Sequence, residues 1–235
     1  MTGRICRFKK RLFYLVITFV IFGCATAPKE PLTGLVPGKE MTTIQSSVSI
    51  SVKNSGKSFG ARGYLIFQRP DLFHLAVLSP LGQPMFDFYS GGNRLTCVVP
   101  GRHTAYSDLF SELPNRDGLK AWTMMSWIME TSPAGLPNKE VARINSSGLR
   151  ETLEYDELGL LKRKETEEGN VVLFNDYRSV DGVAFPESIE VRNTVGDWAR
   201  VVFDDPEINR KADPRDLVPQ LDGTTSFPFS EFKGF

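Results

Sequence analysis

The chain is poor in the residues that cross-linking and metal chemistry need. Its 235 residues include only three cysteines and two histidines. Cys6 lies inside a predicted export signal and would leave with it. Cys24 directly follows the signal and is predicted to be covalently modified. Cys97 would then be the one free thiol of the exported protein, so no intramolecular disulfide is expected. Cys97 lies in an apolar run and is predicted to be a small buried hydrophobe. The apolar core must therefore hold the fold.

Several motifs of common enzyme classes are also missing. The sequence contains no His-Glu-x-x-His, Walker or Cys-x-x-Cys motif. His74 interrupts an apolar run, which favours a half-buried structural histidine, and His103 follows a predicted turn. We therefore expect a protein that is not an enzyme and that needs no metal and no cofactor beyond a covalent acyl anchor.

The formal net charge is zero, and this value hides an asymmetry. The first 23 residues hold five basic side chains and no acidic one. Without them, 23 basic residues face 28 acidic ones, which gives a net charge of about −5. An acidic domain argues against a nucleic-acid partner, because phosphate backbones are bound by clustered basic side chains.

The N-terminus has the pattern of an export signal over residues 1–23. A basic segment ends at Arg11, and the apolar run from Leu12 to Phe22 is too short to span a bilayer, which takes about 20 helical residues. The sequence Ile21-Phe22-Gly23-Cys24 resembles the lipobox of bacterial lipoproteins. This resemblance implies cleavage before Cys24 and acyl chains on it. An uncleaved anchor helix is the alternative.

Residues 24–40 are predicted to be the acylated cysteine followed by a flexible tether. Prolines and glycines recur there without the period of a helix or a strand. The residue after Cys24 is alanine, and in many Gram-negative bacteria the absence of an aspartate at this position favours the outer membrane. We expect a monomer held by acyl chains at the periplasmic face of the outer membrane.

Alternating apolar and polar residues predict antiparallel strands through most of residues 41–205. Turn signals such as Asn54–Lys57 separate these runs at short intervals. In the second half, charged residues that include Lys162 and Lys164 share one phase of the alternation, which predicts a wet face and a buried face. The predicted class is α+β, mainly antiparallel β.

Two helical segments are predicted near the middle, at Leu109 to Leu113 and at Asn115 to Glu130. The second carries two tryptophans and three methionines. These side chains either pack as ordinary core or line a cavity whose ligand varies in shape. Because a long antiparallel sheet curls, we predict a half-open β-barrel over residues 41–205, with the helices as a lid or plug.

Residues 206–235 are predicted to be a C-terminal tail with little pattern. Its phenylalanines either dock on the domain or are mobile; they are Phe227, Phe229, Phe232 and Phe235.

The stretch from Arg69 to Gln83 organises the central part of the sequence. It reads as a strand that begins after an Arg-Pro turn and ends at a Pro-Leu-Gly turn. Leu81, flanked by Pro80 and Gly82, either folds back onto the core or is held out to touch an apolar partner.

Two segments of the chain are similar to a known family. They are GYLIFQRPDLF, from Gly63 to Phe73, and SPLGQ, from Ser79 to Gln83. With the lipobox and the Met/Trp-rich helix, they resemble the LolA/LolB group of lipoprotein localisation factors. The predicted acyl anchor favours the LolB-like outer-membrane receptors over the soluble carriers.

The resemblance implies a hydrophobic cavity for the acyl chains of lipoprotein cargo that a LolA-like periplasmic carrier delivers. It implies that Leu81 helps insert the cargo into the outer membrane and that Arg69 latches the lid by bonding helix carbonyls. The expected cavity residues are Phe67, Phe73, Leu75, Val77, Met85, Trp122, Met125 and Met129. The alternative function is a structural or assembly lipoprotein that uses the same fold to bind a protein partner.

Overall fold

The computed structural model, which describes residues 32–54, 56–115, 118–130, 135–145 and 148–233, is built on one sheet of 13 described strands. The predicted signal peptide and Cys24 lie outside the described residues, as does the first part of the tether. The strands are β1 (Thr43–Asn54), β2 (Lys57–Gln68), β3 (Leu72–Leu78), β4 (Pro84–Gly91), β5 (Arg94–Val99), β6 (Thr104–Leu109), β7 (Glu140–Ile144), β8 (Arg150–Tyr155), β9 (Leu161–Thr166), β10 (Val171–Val180), β11 (Val183–Arg192), β12 (Trp198–Ile208) and β13 (Thr225–Phe227).

The strand order is β13-β6-β5-β4-β3-β2-β1-β12-β11-β10-β9-β8-β7. Neighbouring strands are antiparallel, except that β13 runs parallel to β6. Because β1 pairs with both β2 and β12, it joins the two halves of the chain. The predicted mainly antiparallel fold is confirmed. The sheet does not close into a barrel, so the predicted half-open barrel describes it only loosely.

Side chains alternate between two faces of the sheet. On β1, the apolar residues Ile44, Val48 and Ile50 lie on the face that the helical segment covers, which we call the inner face. Ser47 and Ser49 lie on the outer face, whereas Ser46 shares the phase of Ile44 and is buried, with its Oγ donating to the Asp204 carbonyl. This alternation is the period-two pattern of the sequence, and it continues through the cross-strand pairs of the neighbouring strands.

The helical segment, which we call the lid, is shorter than predicted. A 3-10 helix at Leu119–Met124 leads into the single described α-helix, α1, at Met125–Met129. The helix predicted from Asn115 starts late because Gly118 adopts a left-handed conformation directly before it. None of the described helices is long and apolar enough to cross a membrane.

The helix predicted at Leu109 to Leu113 is wrong. Strand β6 continues to Leu109, since Ser107 and Asp108 pair with Thr96 and Leu95 of β5 and do not cap a helix. A turn follows, in which the Glu112 N–H donates to the Leu109 carbonyl. Cross-strand pairing thus overrides a local capping signal.

The described part of the tail, residues 209–233, is docked. Strand β12 continues to Ile208, beyond the predicted domain boundary at residue 205. Ala212 and Leu217 then pack on Ile66 of the outer face. After β13 has paired with the edge strand β6, Phe229 and Phe232 are buried on the inner face. The tail therefore passes around the β6 edge from one face to the other.

Candidate functional site

Two apolar clusters cover much of the inner face. The first joins β1, β2, β3 and β8–β12 to Trp127, Ile128 and Met129 of α1. The second joins β3–β5 to Leu119 of the lid and to Phe229 of the tail. Of the residues predicted to line a cavity, Phe67, Phe73 and Met129 are buried in the first cluster, Val77 is buried in the second, Leu75 and Trp122 contact both, and Met125 is half-buried against the first.

Trp122 connects the two clusters. Its ring stacks on Phe88 at 4.9 Å between centroids and meets Phe73 edge-on at 5.4 Å. Such aromatic contacts contribute about 1 kcal/mol each beyond the buried area. The first part of the lid is therefore held to the inner face by the buried Leu119 and by rings that another apolar group could replace.

Met85 is the one predicted lining residue that the register displaces. Val77 is paired with Phe86, and Leu78 is paired with Pro84, so Met85 is the extra residue of a β-bulge. Met85 belongs to neither inner cluster, whereas Phe86 and Phe88 do. The prediction for Met85 is therefore wrong, because Met85 has the phase opposite to that of Phe86 and Phe88, whose side chains face inward.

Burial on the inner face decreases toward the end of the sheet at which β1 ends, which we call the tip end. Along β1, Val48 is buried while Ile50 and Val52 are half-buried; along β12, Phe203 is buried while Val201 is half-buried. The lid thus leaves an apolar strip partly open, which we call the trough. It consists of Ile50, Val52, Phe59, Ala61, Val191 and Val201.

Lys164 of β9 holds the end of α1. Its side chain is 0% exposed, and its Nζ donates hydrogen bonds to the backbone carbonyls of Trp127 and Glu130. The same Nζ lies 5.2 Å from the Trp127 ring and 5.5 Å from the Phe174 ring. A cation at the end of a helix satisfies carbonyls that have no partner within the helix.

The environment of Lys164 lowers its pKa to about 7, and burial is the main cause. The carboxylates of Glu130 and Glu151 oppose this shift, while the positive charges of Arg143 and Arg69 add to it. Lys164 therefore gains or loses its proton near neutral pH.

Glu151 of β8 completes a polar network at the base of the lid. Its side chain is fully buried and accepts hydrogen bonds from the Trp127 indole and from Arg143 Nε. Arg143 also pairs with Glu130 at 3.0 Å. The end of α1 is thus held by charge-assisted bonds, while the start of the lid is held by aromatic packing.

The sequence analysis placed Lys164 on a wet face, and that prediction is wrong. Glu154 pairs with Arg163 and Tyr155 with Leu161, so Lys162 is an extra residue that reverses the alternation for the rest of β9. One signal was readable, since Glu151 shares the phase of the apolar Leu149 and Leu153. A carboxylate in an apolar phase indicates a buried polar partner.

Arg69 lies at the turn between β2 and β3. Its Nη1 donates to Glu40 Oε2 at 3.1 Å, next to the start of β1. The positive charge of Arg69 also lowers the pKa of Lys164, so the two side chains are close enough to interact electrostatically. The latch role of Arg69 stays a prediction, and Lys164 is a described residue that bonds the lid carbonyls.

Leu81 lies in the turn between β3 and β4, at the tip end. Its side chain is 87% exposed. The turn is closed by hydrogen bonds from the Gly82 N–H to the Ser79 carbonyl and from the Ser79 N–H to the Gln83 carbonyl. Pro80 at the second turn position and Gly82 at the fourth suit this geometry. A well-bonded turn therefore holds an apolar side chain in water.

Three side chains of types that act in catalysis in other proteins, Cys97, His74 and Ser58, lie in surroundings that do not activate them. Burial raises the pKa of the Cys97 thiol far above its ordinary value, which makes it unreactive. His74 stacks on Tyr89 at 4.2 Å and lies 3.3 Å from Asp87. Gly56–Gly60 matches the spelling Gly-x-Ser-x-Gly, but Ser58 lies in a hairpin strand opposite Lys53 and not at a strand-to-helix turn. Among the described residues, no group of three metal-ligating side chains occurs.

Comparison with known proteins gives a family match over the sheet. The model of the family described as "Outer membrane lipoprotein LolB" matches residues 42–205, which is more than half of the chain. The chain belongs to the LolB family. The match begins at β1 and ends within β12, so the tail that closes the second inner cluster lies outside it. No curated protein matches the chain at a significant level.

Solved structures share the fold of this LolB family member. A candidate outer membrane lipoprotein-sorting protein domain from Vibrio parahaemolyticus is 10% identical, with a TM-score of 0.54 over 76% of this chain and 90% of that chain. A LolA superfamily protein from Nitrosomonas europaea is 12% identical, with a TM-score of 0.52 over 79% and 92%. A DUF1329 family protein from Desulfovibrio piger is 10% identical, with a TM-score of 0.53 over 77% and 91%. These likenesses show the fold alone.

We expect the stability contribution of Lys164 to grow as the pH rises from about 7 toward 10.5, its ordinary pKa. In this window the unfolded chain holds a proton that the folded chain has lost, so raising the pH favours the folded state. Urea unfolding of wild type and Lys164→Met across the window measures the effect. The free energy of unfolding of wild type, relative to that of Lys164→Met, should increase by on the order of 1 kcal/mol per pH unit. The exposed Lys162→Met variant is the control, and a curve for Lys164→Met parallel to wild type would show that Lys164 titrates as an ordinary lysine.

Proposed function

We propose that this LolB family member binds the acyl chains of lipoproteins on the inner face and helps receive and insert lipoproteins into the outer membrane. The observation that carries the proposal is the trough, an apolar strip that continues from the buried clusters beneath the lid to the open tip end. The family match supports lipoprotein localisation or lipid binding as the general role.

The chemistry of the trough suits reversible binding of an acyl chain. Exposing an acyl chain to water costs about 25 cal/mol per Å² of apolar surface. Aliphatic side chains such as Ile50, Val191 and Val201 offset that cost without directional bonds that a flexible chain would have to match. Met124 and Met125 at the lid add side chains that adapt to different shapes.

The contacts at the two ends of the lid suggest how an acyl chain enters. Trp122 is half-buried and packs through its ring, so an acyl chain can take its place against Phe73 and Phe88 at a small net cost. The end of α1 stays fixed by Lys164 and Glu151. We infer that the lid opens at Trp122 and pivots at α1.

The finer steps are part of the same proposal. Cargo would arrive from a LolA-like carrier, Leu81 would enter the membrane during delivery, and acyl chains on Cys24 would hold the protein at the outer membrane. The exposure of Leu81 and the rigidity of its turn support the second step.

We expect native mass spectrometry to show one-to-one binding of a triacylated lipopeptide to the chain from Ala25 onward. Leu32–Phe235 forms one compact unit with its own core, so the chain can be studied without residues 1–24. The deacylated peptide should not bind. Val201→Asp, which places a carboxylate in the trough, should weaken binding at least about tenfold.

The neighbouring residue supplies the matched control. Val202 is 40% exposed on the outer face of the same strand, so Val202→Asp adds the same charge without touching the trough. Equal losses for both variants would assign the effect to charge or to folding. Failure of wild type to bind either peptide would overturn the acyl-binding proposal and favour a module that binds a protein partner.

A further inference from the structure

Basic side chains gather at the tip end of the first six strands. The turns β1–β2, β3–β4 and β5–β6 all lie there, because these strands are consecutive antiparallel neighbours. Residues 53–62, 79–83 and 100–103, which form these turns and the hairpin beside them, contain no acidic residue. They carry four exposed basic side chains, Lys53, Lys57, Arg62 and Arg102.

These four cations are available to an external partner. None of them forms an ion pair with another described residue. The chain without its first 23 residues has a net charge of about −5, so the cluster runs against the overall charge. At the same end, the β9–β10 turn carries the exposed acidic residues Glu167 and Glu168. The turns of β1–β6 at this end therefore carry basic side chains without acidic ones.

Apolar side chains project beside the basic ones. Leu81 is 87% exposed in the β3–β4 turn, and Phe59 is 44% exposed near the tip of the β1–β2 hairpin. Phe59 pairs with Val52 and belongs to the trough, so the apolar groups at this end continue into the inner face. Cations around apolar tips match a lipid surface, where phosphates lie above acyl chains.

We infer that the tip end of β1–β6 is a docking surface for a bilayer that contains anionic phospholipids. Lys53, Lys57, Arg62 and Arg102 meet headgroup phosphates while Leu81 and Phe59 enter the acyl region. Docking in this orientation turns the open end of the trough toward the bilayer. The inference rests on the proposed step in which Leu81 enters the membrane, and it adds the class of lipid and the four cations that meet it; acyl binding is not required.

Vesicle co-sedimentation of the chain from Ala25 onward tests the inference without the acyl anchor. The vesicles are phosphatidylethanolamine alone or with phosphatidylglycerol. Wild type should bind the anionic vesicles, and binding should fall as salt screens the charges. The double variant Lys53→Glu/Lys57→Glu should lower the partition coefficient by at least about tenfold, since each basic residue near the surface contributes on the order of fivefold.

The control makes the same charge change at the opposite end of the sheet. Arg210 and Lys211 are exposed just after β12, so Arg210→Glu/Lys211→Glu should keep wild-type vesicle binding. An equal loss of vesicle binding in both double variants would show that net charge alone causes the loss, and it would overturn the inference. Wild type that does not co-sediment with anionic vesicles would also overturn the inference. So would tip-end variants that bind the vesicles like wild type but no longer bind an acidic protein. The lipopeptide assay is independent, so docking and acyl binding can fail separately.

Discussion

Replacing Phe229 with alanine should lower the free energy of unfolding by about 3–5 kcal/mol. The Phe229 side chain is 0% exposed, and its ring lies 5.8 Å from Phe232 and 6.3 Å from Tyr106. Its N–H donates to the Asp108 carboxylate at 2.6 Å, which fixes the tail against β6. Alanine would leave a cavity among packed rings that cannot collapse without moving β13. Urea unfolding followed by circular dichroism measures the change.

Val218→Ala is the control for this prediction. Val218 lies in the same tail but is 56% exposed, so its truncation should cost less than about 0.5 kcal/mol. If Phe229→Ala also cost less than about 1 kcal/mol, the tail would contribute little to the stability of the sheet. Hydrogen exchange at β6 gives a second readout, because loss of the docked tail exposes this edge strand.

The strands were predictable from the sequence because their signal is local. The alternation on β1 and the turn signals predicted most of the strands of the sheet. The shared phase of Phe73, Leu75 and Val77 predicted which side chains of β3 face inward. The exposed position of Leu81 was one of the two alternatives stated from the turn residues alone. These features follow from period two and from turn chemistry, which single segments encode.

The positions that prediction missed depend on contacts between distant segments. The bulge at Lys162 reverses the phase of β9, and nothing in its local sequence marks the extra residue. Phe229 and Phe232 have no strand or helix period, and they are ordered by packing on β4 and β6. The lid begins as a 3-10 helix because Gly118 and the inner face set its path, which local helix propensity does not describe.

Together, these features divide the inner face into fixed and exchangeable parts. The tail fills the side next to β6 with buried aromatic rings, and the polar network holds the end of α1. Between them, Trp122 and the trough offer apolar contacts without charge. A protein that must bind and then release an acyl chain needs such a division, because the parts that hold the fold stay in place while the ligand exchanges.

Glu151→Ala should cost about 3–5 kcal/mol, because it breaks a buried ion pair by removing one partner. The change leaves the Trp127 indole without its acceptor and removes the carboxylate that Arg143 Nε contacts. It also removes a negative charge that supports protonated Lys164, so the pKa of Lys164 should fall further below its ordinary value. Urea unfolding gives the stability change, and tryptophan fluorescence should shift to longer wavelength as the lid loosens.

Two further variants separate the charge of Glu151 from its position. Glu154→Ala, on the same strand, removes a half-buried carboxylate that pairs with Lys162 and should cost less than about 1 kcal/mol. Glu151→Gln keeps a carbonyl acceptor for the Trp127 indole but no charge for Arg143, so its cost should lie between the other two. If Glu151→Ala instead matched Glu154→Ala, Glu151 would contribute little to holding α1, and Lys164 would keep its two lid carbonyls without help from Glu151. In that case the pivot of the lid would depend on Lys164 and on the burial of Trp127, and Lys164→Met would become the decisive variant for lid opening.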